Sequence, residues 1–177
     1  LLVAHDHHAG GVLAADVAAG DAGVDARDLA VGHHLGLLQG LLDLLHRFEI
    51  NTIAAHLDHS LRSESASEAD FVARKCDEYE IPFVSKKIDV AEFSRQKSLA
   101  IEEAARELRY EFLFEEAQKA GAQAVMVAHH ADDQVETILM HLMRGSGLSG
   151  LAGMRLLLLP NPWSKTIPLI RPLLYTW

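Results

Sequence analysis

His129-His130-Ala131-Asp132-Asp133-Gln134-Val135-Glu136-Thr137 stands where the chain changes its period. Ala122 to Ala128, just before it, is a short apolar run of strand length, and the polar string opens a helix that runs to about Met143. Upstream, Ser98 reads as an N-cap with Glu102 and Glu103 in the favourable first turns. Ile101, Ala105, Leu108, Phe112 and Leu113 make one apolar stripe, and Gly121 closes that helix. Before it, Ile81 to Val90 has the β-branched character of a strand, with Pro82 at its start, where a missing amide is tolerated. Ser65 and Glu68 match a capping box, and Ala69, Val72, Ala73, Cys76 and Tyr79 share one helical face. Ile50 to Ala55 suits a buried strand that stops at the polar cluster His56, Asp58 and His59. Leu37, Leu38, Leu41, Leu42, Leu44 and Leu45 recur at helical spacing ahead of it.

Strand and helix therefore alternate. That order predicts an α/β fold: a Rossmann-like parallel sheet joined by right-handed crossovers, with helices on both faces. Ligands of such sheets bind outside the C-terminal strand ends, so His56 to Arg62 and His129 to Glu136 are expected to line one crevice.

The 177 residues and 49% hydrophobic content fit one globular domain. No apolar run from Asn51 to Arg155 is long enough to span a membrane, and no signal segment opens the chain, so cytoplasm is the expected location. One cysteine, Cys76, excludes an intrachain disulfide and a Cys-built zinc site, and reads as a small core hydrophobe. The net charge of −9 runs against broad electrostatic attraction to nucleic acid.

Residues 1–36 use only Leu, Val, Ala, His, Asp, Gly and Arg. All seven types have codons beginning with G or C, which points to GC-rich DNA read in another frame; a His-rich metal-binding tail and a flexible Ala/Gly leader are the competing readings. Residues 37–174 are then the catalytic domain, expected to be truncated at both ends.

Asp133 and Glu136, three residues apart, share a helix face and suit an ammonium group or Mg²⁺, while the helix N-terminal amides favour a phosphate beside them. The same string, with Arg144-Gly145-Ser146-Gly147-Leu148-Ser149-Gly150-Leu151-Ala152-Gly153-Met154, resembles motifs of the tRNA(Ile)-lysidine synthetases. His56-Leu57-Asp58-His59-Ser60-Leu61-Arg62, the helix Ser98 to Tyr110 and Ile170-Arg171-Pro172-Leu173-Leu174 resemble further blocks of that family, in order and with matching spacing.

The resemblance implies an adenine nucleotide alpha hydrolase-like fold of the PP-loop, or N-type ATP pyrophosphatase, kind. It implies ATP and Mg²⁺ as cofactors, and tRNA(Ile) with a CAU anticodon and L-lysine as partners. The wobble cytidine would be activated as an adenylate, and lysine would displace AMP. Asp133 and Glu136 would bind the lysine ammonium or assist its deprotonation. Arg106 and Arg109 would neutralise phosphate or orient substrate, with Arg109 counted among the catalytic residues. His56, His129 and His130 would line the nucleotide pocket, and Arg144, Gly145 and Gly147 would approach RNA. No resident transition metal is implied, and a homodimer is one option for assembly.

The family's Ser-Gly-Gly-x-Asp-Ser loop has no counterpart. Val31-Gly32-His33-His34-Leu35-Gly36 stands in its place and lacks the hydroxyls and aspartate that cradle pyrophosphate. This leaves two other readings open: an inactive relative, and a metal-dependent hydrolase using His56, Asp58, His59, His129, His130 and Asp133. A thiolation enzyme of the same superfamily is disfavoured, because Cys76 is the only thiol.

Overall fold

The computed structural model describes residues 36, 39–48, 50–58 and 65–177. Helix α1 covers 39–47 and buries Leu41, Leu42 and Leu45, while Leu44 is exposed; Leu37 and Leu38 lie outside the described residues. The chain leaves α1 by a turn, with the Ile50 amide bonded to the Leu45 carbonyl and the Thr52 hydroxyl to the Ile50 carbonyl. That turn consumes residues expected to begin the first strand.

Strand β1 is Ala54–Asp58, and therefore runs through His56 to Asp58 instead of stopping before them. Its first four residues are buried. Successive strand side chains point to opposite faces, so both faces of β1 are covered. It pairs in parallel with β2 (Phe83–Lys87), Asp58 lying opposite Lys87. Their side chains meet at 3.4 Å. Helix α2 (Ser65–Glu78) makes the crossover and packs on both strands, with Val72 and Cys76 buried. Burial, and secondarily the neighbouring Asp77, push the Cys76 thiol up to about 11. The side chains of Ser65 and Glu68, and the stretch His59 to Arg62, lie outside the described residues.

The second strand is shorter than its sequence pattern suggests, because Asp89 starts a helix. Its carboxylate accepts the Glu92 amide at 3.0 Å and caps α3 (Val90–Lys97). Ser98, expected to open the following helix, instead ends α3 in the left-handed region at φ 54°, with its amide bonded to the Ser94 carbonyl. Helix α4 (Ile101–Lys119) begins after Ala100 with no side-chain cap. Ala105, Leu108, Phe112 and Leu113 are buried as the stripe predicts, while Ile101 is exposed. Gly121, at φ 67°, stops the helix as expected.

A second sheet contains β3 (Val125–Met126), β4 (Leu157–Leu158) and β5 (Leu169–Ile170), in the order β3-β5-β4. The β3–β5 pair is parallel and the β4–β5 pair antiparallel. Helix α4 packs on both β1 and β3 and so bridges the sheets. After β3 come α5 (Ala131–Met143) and the short α6 (Leu148–Leu151). No helix among the described residues is long and apolar enough to cross a membrane.

Candidate active site

The end of β3 runs into α5 through a turn whose polar groups are nearly all committed. His130 is the N-cap; its Nδ1 accepts the Asp132 amide at 3.2 Å, and its own amide donates to Asp133 Oδ2 at 2.7 Å. The Ala131 amide donates to the Thr176 carbonyl at 3.0 Å. The first two amides of α5 are thus spent on the protein itself, which corrects the expectation that they greet a phosphate.

Positive charge comes from side chains instead. His129 Nδ1 accepts from Arg171 Nε at 3.3 Å, so the ring proton resides on Nε2. Arg171 is buried, and its Nη1 donates to the Arg155 carbonyl at 2.9 Å. Burial, then the charges of Arg171, Arg109 and Arg106, hold His129 well below the usual histidine range, so it is neutral. Arg109 is half-buried with its Nε withdrawn from solvent, and burial lowers its guanidinium to about 10, still charged near neutral pH. Arg106 is exposed, its guanidinium carbon 5.8 Å from the Tyr110 ring centroid. Tyr110 in turn stacks on Trp163 at 4.1 Å. Three guanidinium groups therefore act on one neutral imidazole at a strand end. In a chain of net charge −9, this is a local field suited to an anion.

The remaining expected residues separate. His56 is buried within β1, in the other sheet. Asp133 spends one oxygen on the helix cap, and its side chain is 19% exposed. Glu136 is exposed one turn further along α5. Arg144 is the exposed C-cap of α5. Gly145 follows at φ 70°, its amide bonded to the Leu142 carbonyl and the Ser146 amide to the His141 carbonyl. This is a Schellman stop, so Gly145 has a structural reason that its place in a glycine-rich motif did not reveal. A Cβ on Gly147 would meet nothing within 4 Å, and packing within the chain does not require glycine there.

Sequence reasoning missed two participants. Arg171 lay in a quoted motif but was assigned no role, and Gln134 lay in the deciding stretch. Gln134 Nε2 donates to the Met154 carbonyl at 3.0 Å, and its Oε1 accepts the Met154 amide at 2.7 Å. Among the described residues no three His, Cys, Asp or Glu side chains come together as a metal-binding group, and His59 lies outside them. His129 and His130 each commit Nδ1, so the geometry gives the hydrolase alternative no support.

Residues 33–177 match the PP-loop domain family model. The chain is 40% identical over 135 residues to the tRNA(Ile)-lysidine synthase of Porphyromonas gingivalis, covering 76% of this chain and 28% of that protein. It is 48% identical over 120 residues to the tRNA(Ile)-lysidine synthase of Geobacillus kaustophilus, covering 67% of this chain and 26% of that protein. The chain thus spans between a quarter and a third of the length of these relatives. In fold it is similar to the U34-tRNA thiolase NcsA from Methanococcus maripaludis, solved with its 4Fe–4S cluster. That likeness has a TM-score of 0.64 at 16% identity, and covers 93% of this chain and 52% of the other. With most of its length matched, from the Leu-rich helix through the arginine-lined strand end, this chain belongs to the PP-loop domain family.

Proposed function

We propose that residues 37–174 form the catalytic domain of a tRNA(Ile)-lysidine synthase acting in the cytoplasm. The observation that carries this reading is the buried Arg171 guanidinium held against His129 at the end of β3. Its support is the identity to lysidine synthases across the same residues. The C2 oxygen of the wobble cytidine, position 34 of tRNA(Ile) with a CAU anticodon, attacks the α-phosphorus of ATP, and diphosphate leaves. The lysine ε-amine then attacks C2, and AMP leaves with the former cytidine oxygen.

Both steps place negative charge on the α-phosphoryl group, and fixed guanidiniums in a partly dry site stabilise such charge without reorganising. His129, neutral with its proton on Nε2, can donate to a phosphate or base oxygen without adding a charge. Asp133, through the oxygen not used by the cap, and Glu136 take the lysine ammonium and receive the proton it must lose. Mg²⁺ would need one or two carboxylates besides the phosphates it accompanies, and the exposed Asp132 at this end of α5 would supply one. Arg144, Gly145 and Gly147 face the RNA. His130 contributes to the wall of the nucleotide pocket, whereas His56, in the other sheet, takes no part in it. Assembly as a homodimer is compatible with this scheme.

The test is ATP- and lysine-dependent incorporation of lysine into a tRNA(Ile) CAU transcript by the complete gene product, with the locus resequenced through residues 1–36. Incorporation that disappears in Arg109→Ala supports the reading. A confirmed reading frame with no incorporation would make the chain an inactive relative.

A further inference from the structure

Gln134 uses both ends of one rigid amide on the backbone of a single residue, Met154, donating at 3.0 Å and accepting at 2.7 Å. The approach is close: Gly153 lies at φ 63°, and a Cβ there would stand 2.6 Å from Gln134 Oε1. The residue after Met154 is Arg155, whose carbonyl accepts Arg171 Nη1 at 2.9 Å. The next carbonyl, of Leu156, accepts the Arg171 amide at 2.8 Å. Arg171 then donates to His129 at 3.3 Å. His129 and Gln134 belong to the same short stretch, so these bonds close a ring from α5 through the 154–156 segment to Arg171 and back to the end of β3. A glutamate would lack the donor near neutral pH, and an asparagine would be too short by one methylene.

We propose that Gln134 is a positioning residue: its clamp on Met154 sets the carbonyl that aims the Arg171 guanidinium at His129. Its importance for turnover rests on the reaction proposed above, whereas the coupling itself is independent of any substrate. His129 is faced by Arg171 beyond β5, by Arg109 and Arg106 on α4, and by His130 at the cap of α5. Of these, only Arg171 is held through the clamp.

The experiment is histidine ring NMR across a pH titration of the complete gene product, with Gln134→Ala, Gly153→Ala and, as a control remote from the ring, Asp89→Ala. In the wild type the His129 midpoint lies well below that of an ordinary histidine. Gln134→Ala moves its midpoint upward, Gly153→Ala does the same from the other side of the contact, and Asp89→Ala leaves it in place. The kcat for tRNA adenylation falls roughly tenfold or more in Gln134→Ala, with the KM for lysine little changed. A folded Gln134→Ala protein with an unmoved His129 overturns the proposal, and so does an equal shift in Asp89→Ala. If Gln134→Ala does not fold, Gly153→Ala decides by the same reading; failure of both to fold also overturns it, because the contact would then be general scaffolding. Shifted titration beside a wild type that never incorporates lysine sinks the proposed reaction and leaves the coupling standing.

Discussion

At its first turn α5 is held by side chains, and at its last turn by backbone and one glycine. His130, Asp133 and the carbonyl of Thr176 satisfy the opening amides, and Arg171 buttresses the residue before the cap. The closing carbonyls of Leu142 and His141 are met by the amides of Gly145 and Ser146, while Leu139, Leu142, Met143 and Arg144 remain exposed. The two ends of one helix thus separate two tasks. A pre-ordered end can present charge without reorganising, whereas an exposed end can adapt to a large partner.

Arg171→Ala should break the contrast most severely. It removes a buried, charged donor to His129 and to the Arg155 carbonyl, and we expect a loss of about 2 kcal/mol in urea unfolding. Next is pH. His129 is neutral in the fold and ordinary, near 6.5, when unfolded. The unfolded chain therefore binds the extra proton as pH falls. Stability is full above pH 6.5 and declines below it by up to about 1.4 kcal/mol per pH unit, a slope that His129→Asn should remove. Asp133→Ala and Gly145→Ala compare the two ends directly. Loss of the cap should cost about 1 kcal/mol, and an alanine at φ 70° a similar amount. Only the first should also raise the KM for lysine. The smallest effect on stability belongs to Arg144→Ala, under about 0.5 kcal/mol. It should nevertheless weaken tRNA binding and reduce the slope of log affinity against log salt by about one unit or less.

The long elements were legible because their signals are repeated. The stripe Ala105, Leu108, Phe112 and Leu113 fixes α4, and the polar string after an apolar run fixes the start of α5. Asp89 with Glu92 was an available capping signal, overlooked because the surrounding β-branched residues read as a longer strand. Strands β4 and β5 pair through only two residues each, too few to carry a period, and their existence depends on partners distant in sequence. The same is true of the site. Arg171 and His129 are 42 positions apart, and no local pattern states that they touch. Gly145 was noticed for its company of glycines, yet the helix stop that requires it appears only in the hydrogen bonds of the turn.

Cys76 offers an experimental handle. It is the only cysteine of the 177 residues, is fully buried, and has a thiol pushed up to about 11, so almost no thiolate is present near neutral pH. A maleimide fluorophore should therefore react with a cysteine introduced at exposed Met143 or Lys97 while sparing the native one. The C-terminal end of α5, or that of α3, could then be followed optically in the otherwise unaltered chain.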